Sequence, residues 1–368
     1  MENAKKKILM ICNTSQSIYN FRLPLIRKFK EEGYDVSAVA FDDKYADLLK
    51  QENVRFKCVN DSNRSMNPLK ILSLKNKYCK IIKEEKPDIV FTFQLKPNLF
   101  GVPAAKKAGV QKVYAMVEGA GDAFINKSMK WKLIKFVECK LYKKAFKRAN
   151  NVFFLNNDDK AEFEALKLVK KGQGIVVNGI GVDLEKFAFA PVDKTSNKFI
   201  MIARMLETKG IYEYCKCAEL VKKTHPEAEF MYLGGEGSVK VADIQKYIDN
   251  ESINYLGTTK DVRPYIKEAL LLLLSSYREG LPMTIMEAES MGRGIITSNN
   301  IGCKETVQDG YNGFIVEQKD YEAMAQKCIA VLENKKLAET LGKNARAFAE
   351  DKFDYKKINQ QIFDVVGK

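Results

Sequence analysis

At 368 residues the chain exceeds what one hydrophobic core supports, so two domains are expected, and an apolar content of 46% gives each enough to bury. The eight cysteines are scattered, with only Cys215 and Cys217 close together, which excludes zinc spacing and a secretory disulfide framework and points to reduced thiols in a cytosolic setting. The net charge of +14 is uneven: residues 1–150 hold 31 Lys and Arg against 15 Asp and Glu, whereas residues 151–368 hold 30 against 32. A basic first half fits nucleic acid, anionic lipid or an anionic substrate, and composition does not choose among them.

The opening MENAKKKILMIC has basic residues before an apolar stretch too short for a signal h-region, with no cleavage site. No run of 18 apolar residues suits a membrane span. Lys7–Cys12 is predicted as a strand, and Phe21–Glu31 as a helix after a polar loop at 13–17. Tyr34–Phe41 and Arg55–Val59 follow as strands, Leu69–Glu85 as a helix, then Asp88–Thr92 and Val113–Val117 as strands. Such alternation argues a parallel sheet covered by helices, with ligands bound beyond the carboxyl ends of the strands. The loops there are Asn13–Asn20, Phe93–Asn98 and Glu118–Phe124. No complete G-x-G-x-x-G and no Walker loop occurs, so dinucleotide-dehydrogenase and NTPase readings lose their phosphate cradles.

Glu118-Gly119-Ala120-Gly121 directly follows a predicted strand. Its glycines let the backbone approach a ligand, and the Glu stands where a reacting group is met; the alternative is a glycine-rich turn with one exposed acid. Lys127–Arg148 then carries nine basic residues against one acid, Glu138. Leu133, Ile134, Val137, Leu141 and Ala145 make a helical stripe expected to pack on the core, with Trp131, Phe136 and Tyr142 adding bulk. The outer face is either the solvated side of a crossover helix or a surface for anionic lipid. No helix-turn-helix, zinc or RNP pattern supports nucleic acid, and no nucleic-acid partner is expected. The only histidine, His225, lies in a helix-to-strand link, which excludes histidine-based acid–base or metal chemistry.

After a linking passage, Asn178–Asn197, the second half restarts with a strand at Phe199–Ala203 leading to Arg204 and Lys209. Phe230–Leu233 is a strand that ends in Gly234-Gly235-Glu236-Gly237, followed by Asn254–Thr258 and Asp261-Val262. The organising stretch is Ala269–Ile296. Its leucine run, Leu270–Leu274, fits a buried strand, and Pro282 suits the first position of a helix. Glu279 lies in the loop before that helix and Glu287 about one turn inside it, leaning back towards the loop. The helix start offers the amides of Leu281, Met283 and Thr284 and a positive dipole end to an anion. A phosphate and two hydroxyl-gripping carboxylates would converge there; taken singly, either glutamate reads as a solvated surface charge.

The whole string, Glu-Gly-Leu-Pro with Glu287 eight positions after Glu279, resembles the Glu-x7-Glu signature of family 4 retaining glycosyltransferases. That resemblance implies an α/β GT-B fold, two Rossmann-like domains facing across a cleft, with a C-terminal helix returning to the first. It places an acceptor- and membrane-facing domain at 1–185, a nucleotide-sugar donor domain at 186–350 and the returning helix at 351–368. In such enzymes the second Glu (Glu287) grips the donor ribose, the first (Glu279) lies near the transferred sugar, and the helix start with Gly280, Leu281, Met283 and Thr284 cradles the diphosphate. Arg204 and Lys209 match the basic pair that neutralises it. Gly235 and Val262 fall where the backbone meets the donor and its base, and Ser17 stands in the first-domain loop. The phrases SIYNFRLPLI and VEGAGDAF resemble a subgroup that adds N-acetylgalactosamine or a similar sugar to polyprenyl-diphosphate-linked acceptors. The chain departs from the pattern where Ser15-Gln16-Ser17 replace a frequent glycine pair, where Gln94-Leu95-Lys96 replace a frequent histidine, and where Gly294 replaces a frequent proline.

The expected activity is therefore retaining transfer of an N-acetylhexosamine from a UDP-sugar to a polyprenyl-diphosphate-linked glycan, as a hexosyltransferase. The proposed catalytic set is Glu279, Arg204, Lys209 and, for the acceptor hydroxyl, Glu118. With no Asp-x-Asp in the chain, no metal and no cofactor beyond the donor is expected. A cytoplasmic protein docked peripherally on an anionic membrane, chiefly through the helix Lys127–Arg148, is expected from the basic first half. A glycosidase using the paired glutamates needs no basic diphosphate pair, and a bilobal sugar-binding protein without turnover usually carries an export signal.

Overall fold

The computed structural model describes residues 5–60, 68–125 and 128–367. The chain divides into one unit of Met1–Ile180 with Lys356–Lys368 and another of Gly181–Tyr355. The boundaries thus fall at 180/181 and 355/356, against 185/186 and 350/351 from the sequence.

In the first unit β1 (Lys7–Ile11), β2 (Asp35–Ala40), β3 (Arg55–Cys58), β4 (Ile89–Phe93), β5 (Lys112–Val117), β6 (Asn151–Phe154) and β7 (Gly174–Val176) form one sheet. The order is β3-β2-β1-β4-β5-β6-β7, and every pairing is parallel. The central strands are apolar on both faces because helices cover both: β4, IVFTF, is buried throughout and β1 is buried from Ile8 on. The second unit repeats the scheme with β8 (Lys198–Ile202), β9 (Glu229–Leu233), β10 (Asn254–Tyr255), β11 (Leu271–Leu274), β12 (Gly294–Ser298) and β13 (Gly313–Val316). Their order is β10-β9-β8-β11-β12-β13, again parallel. Each unit is a doubly wound, Rossmann-like sheet, and in each the strand order reverses once: between β1 and β4, and between β8 and β11. At such a reversal the loops diverge to opposite faces and leave a crevice at the carboxyl ends of the strands.

The last helix, Tyr355–Val366, packs on the first unit. Phe363 meets Phe29 and Tyr34 edge-on at 5.3 and 6.0 Å, and Tyr34 and Tyr114 donate their hydroxyls to the carbonyls of Gly367 and Val365 at 2.7 and 3.3 Å. This is the returning helix the sequence implied.

Three local expectations change. The polar run at 13–17 is not all loop: Thr14 caps a helix at Ser15–Phe21, its hydroxyl accepting the Ser17 amide at 3.1 Å, and a second helix spans Leu23–Glu31. Polar residues that read as loop here supply the cap that starts a helix. Pro282 is the cap rather than the first residue of its helix, which spans Met283–Ser290. The basic helix, Met129–Phe146, buries Glu138, Tyr142, Ala145 and Phe146; of the expected stripe Ala145 is buried and Leu141 packs on the core, whereas Leu133 and Val137 are exposed, as is Phe136. Two aromatic rings bury more area than the aliphatic stripe would, so they set which side faces the sheet. Lys127, the expected first residue of that helix, lies outside the described residues.

Candidate functional site

In the first unit the β1 and β4 exits are tied together across the reversal: the Asn13 amide donates to Gln94 Oε1 at 3.0 Å. Gln94 stands in the left-handed region (φ 71°), a conformation that costs a non-glycine residue energy and that clusters at functional loops. Ser17 is buried, its hydroxyl donating to the Thr14 carbonyl at 2.9 Å. Next to these, Glu118 leaves the end of β5 through Gly119 (φ 137°) and Gly121 (φ 83°), both in a region where side chains are disfavoured. Its carboxylate accepts from the Arg22 guanidinium. Arg22 sits between the first two helices, 3% exposed, with its guanidinium 4.5 Å from the Phe93 ring. Burial pushes the Arg22 guanidinium down to about 10, so it stays charged at neutral pH, and burial pushes the neighbouring Cys12 thiol up to about 12, which keeps it protonated and inert.

Four loops of the second unit meet at the β8/β11 reversal. The loop after β8 carries Arg204, exposed, and Lys209. It is braced on the glycine turn after β9: the Met205 amide donates to the Gly235 carbonyl at 2.9 Å, and a Cβ on Gly234 would overlap the Ala203 carbonyl. Gly210 (φ 79°) then lets the chain turn against Ser275 into the next helix. The loop after β11 is fastened from both sides: Tyr277 N donates to the Thr208 carbonyl at 2.8 Å, and Glu279 N to the Ile301 carbonyl at 3.0 Å. This bracing brings Lys209 and Glu279 into a direct ion pair, with their side chains 27% and 13% exposed. Gly302 (φ 78°) abuts the Glu279 carbonyl, so a larger residue would push the glutamate loop away.

Gly280 and Leu281 are buried in that loop, and Met283 and Thr284, partly exposed, open the helix that follows. The first amides of a helix have no partner within it and carry the positive end of its dipole. Glu287 lies on this helix, partly buried. Burial pushes its carboxyl up to about 7, opposed by the charge of Lys186. A carboxyl pushed towards neutrality by burial is a candidate functional position. Val262 caps the helix Arg263–Glu268 beyond β10. Gly294 starts β12 between Leu271 and Leu341, each 2.8 Å from where a Cβ would stand.

Several contributors were not legible beforehand. Nothing local in the sequence marks Arg22 as the partner of a residue 96 positions away. Lys186, in the linking passage, supplies the cation that opposes the shift of Glu287. Glu289, wholly buried, accepts from Asn312 at 2.6 Å, and Arg293 donates to the carbonyls of Met291, Gly292 and Ala190, closing the end of the helix and fixing the linker. Among the described residues no group of three or more His, Cys, Asp or Glu is placed to hold a metal ion.

Comparison with known proteins adds to this geometry. The family described as "Glycosyl transferase 4-like" matches residues 7–156, and "Glycosyl transferases group 1" matches residues 183–348. The chain is 29% identical to the Campylobacter jejuni N,N'-diacetylbacillosaminyl-diphospho-undecaprenol alpha-1,3-N-acetylgalactosaminyltransferase, over 95% of this chain and 94% of that protein. It is 28% identical to the Escherichia coli UDP-Gal:alpha-D-GlcNAc-diphosphoundecaprenol alpha-1,3-galactosyltransferase, over 91% and 89% of the two. Among solved structures, Anabaena HepE in complex with UDP and glucose has the same fold, with a TM-score of 0.81 at 18% identity, covering 99% of this chain and 100% of that one.

Proposed function

The chain belongs to the group 1 glycosyl transferases and is a hexosyltransferase of the GT-B fold, and from that premise we propose that it moves an N-acetylhexosamine, such as N-acetylgalactosamine, from a UDP-sugar to a polyprenyl-diphosphate-linked glycan with retention of configuration. The observation that carries the donor half is the arrangement at the β8/β11 reversal: Lys209 paired with Glu279 ahead of a helix start, with Glu287 one turn inside. The acceptor half rests on the similarity to two relatives whose names specify diphospho-undecaprenol substrates.

In this reading the diphosphate lies at the start of the helix Met283–Ser290, met by Lys209 and Arg204. Glu287, as a carboxylate, accepts hydrogen bonds from the ribose hydroxyls, and Glu279 accepts from the sugar. Gly235 and Val262 let the backbone approach the nucleotide. The bond between the anomeric carbon and the β-phosphate oxygen breaks as the acceptor hydroxyl oxygen bonds to that carbon on the same face. The hydroxyl proton passes to the departing phosphate, and the charge developing there is held by Arg204, Lys209 and the helix dipole. Glu118, held by Arg22, contacts the acceptor hydroxyl; Ser17 lines the same end of the first unit. No metal is required, because cations and a helix terminus balance the diphosphate. The enzyme works on the cytoplasmic face of a membrane, attached through the basic first unit, whose exposed lysines attract anionic lipid at about 1 kcal/mol each.

The test is incubation with a panel of nucleotide sugars and polyprenyl-diphosphate glycans, with and without EDTA, following UDP release and product mass. A product one N-acetylhexosamine heavier, formed equally with EDTA, is expected. No product with any UDP-sugar would overturn the donor assignment, and activity restored only by added Mg²⁺ or Mn²⁺ would overturn the metal-free site.

A further inference from the structure

The helix Met129–Phe146 has two faces of different character. Glu138, Tyr142, Ala145 and Phe146 are its buried residues and share one arc of about 100° at 3.6 residues per turn. On the opposite arc, Met129, Leu133, Phe136 and Val137 are 77%, 64%, 56% and 44% exposed. They are four of the eight large apolar residues exposed among the described residues, gathered within nine positions. Lys140, Lys143, Lys144 and Lys147, all exposed, continue the same arc, and Lys130 and Lys132 flank it. None of these six lysines has an ion pair with an acid among the described residues, and the Lys140 ammonium lies 4.2 Å from the Phe136 ring. One face therefore presents about 12 Å of apolar surface followed by about 10 Å of cations. Among the described residues these four apolar side chains stay exposed.

We infer that this face inserts into an anionic bilayer: Met129, Leu133, Phe136 and Val137 enter the boundary between headgroups and acyl chains, while the lysines of the second half lie on lipid phosphates. The inference rests on the proposed membrane-linked acceptor and extends it from charge attraction to apolar insertion. Charge complementarity selects the occupant. A second copy would meet the face either in parallel, lysine against lysine, or antiparallel, lysine against apolar side chain, and neither gives the lysines an anion, whereas an anionic surface with an apolar interior satisfies both halves of the face at once. A long lysine stem also keeps its ammonium at the headgroups while its methylenes follow the apolar surface.

Insertion predicts a salt-resistant part of binding that attraction alone does not. The measurement is flotation of the full chain with vesicles of phosphatidylcholine alone, or with one third phosphatidylglycerol, at low salt and at about 1 M NaCl, where the Debye length falls to about 3 Å. The wild type should prefer anionic vesicles at low salt and stay bound in part at high salt. L133S/F136S/V137S should lose at least about 10-fold of the high-salt partition, since each change removes much of an apolar side chain from lipid. K130Q/K140Q/K143Q/K147Q should lose the low-salt preference and keep the high-salt remainder. All three positions of the serine variant are exposed, so its melting temperature and UDP affinity should match the wild type; if it melts lower, M129S/L133S is read instead. Complete release of the wild type at high salt, or wild-type partition by the serine variant, would overturn insertion. So would a wild-type dimer that the serine changes dissociate without altering vesicle binding. Transfer to a water-soluble acceptor with a truncated prenyl chain separates the two readings. Its absence in the wild type would count against the transferase assignment, while vesicle binding would still report on the face.

Discussion

The two units share a sheet topology and each places a cation–carboxylate pair at its strand-order reversal or beside it, yet the pairs are built differently. In the first unit the cation is buried: Arg22 has 4% of its side chain exposed under Glu118 at 20%, and its guanidinium lies over Phe93. In the second the cation is the more open partner, Lys209 at 27% over Glu279 at 13%. A buried Arg cannot leave its carboxylate without stranding a charge, whereas a half-open Lys can turn to a stronger anion that arrives from solvent. The first pair fixes a carboxylate in place, and the second holds a cation ready for exchange. Under the proposed function, the same frame would serve positioning in one unit and ligand capture in the other.

The largest effect that would break this comparison is on stability. Arg22→Ala should destabilise the first unit by about 3 kcal/mol, because it leaves Glu118 half-buried without its partner and removes the packing on Phe93. Lys209→Ala should cost less, about 1–2 kcal/mol: it leaves Glu279 without its cation but removes a more open side chain and no ring contact. Denaturant melts of the two variants check this, and equal losses would contradict the distinction. Next comes turnover. Arg204→Ala and Lys209→Ala should each lower kcat by about 10²–10³-fold, the range for removing one group that stabilises developing charge. Single-turnover rates with UDP-sugar and acceptor test this, and wild-type rates in both variants would remove these residues from the reaction.

A smaller effect concerns pH. Glu287 has a folded pKa of about 7 against an ordinary 4.5, so the fold favours its neutral form. That stability is fully present below about 4.5 and is lost as pH rises through about 7, by at most about 3 kcal/mol. The wild type should therefore lose stability relative to Glu287→Gln across this window, and parallel curves for the two would contradict the burial argument. Ligand binding has the opposite sign, since a ribose hydroxyl is accepted by the carboxylate: UDP affinity should rise with pH through about 7.

Much of the frame was legible because strands of a parallel sheet are buried on both faces and read as short apolar runs, from the KILM of β1 to the leucines of β11. The loops at their carboxyl ends followed from the same runs, and so did the positions of Glu118, Arg204, Lys209 and Glu279. Their pairings did not follow. Lys209 and Glu279 are 70 residues apart and Arg22 and Glu118 are 96 apart, and both distances are closed only by the order of strands in each sheet. The basic helix follows its expected stripe only in its second half, where Leu141 and Ala145 pack on the core. A periodic stripe marks one side of a helix but does not name the neighbour, and here Tyr142 and Phe146 outweigh Leu133 and Val137 for contact with the core. The exposed stripe then needed another explanation, and only the structure raised the question.

The second unit is proposed to hold a uridine nucleotide between a basic loop and Glu287. Calorimetric titration of UDP into the full chain, in EDTA and at pH 8 where Glu287 is ionised, tests it most directly. Wild-type protein should bind, and Glu287→Ala should bind weaker by about 1.5–3 kcal/mol, the range for a hydrogen bond to a charged group. Unchanged affinity in Glu287→Ala would contradict the account.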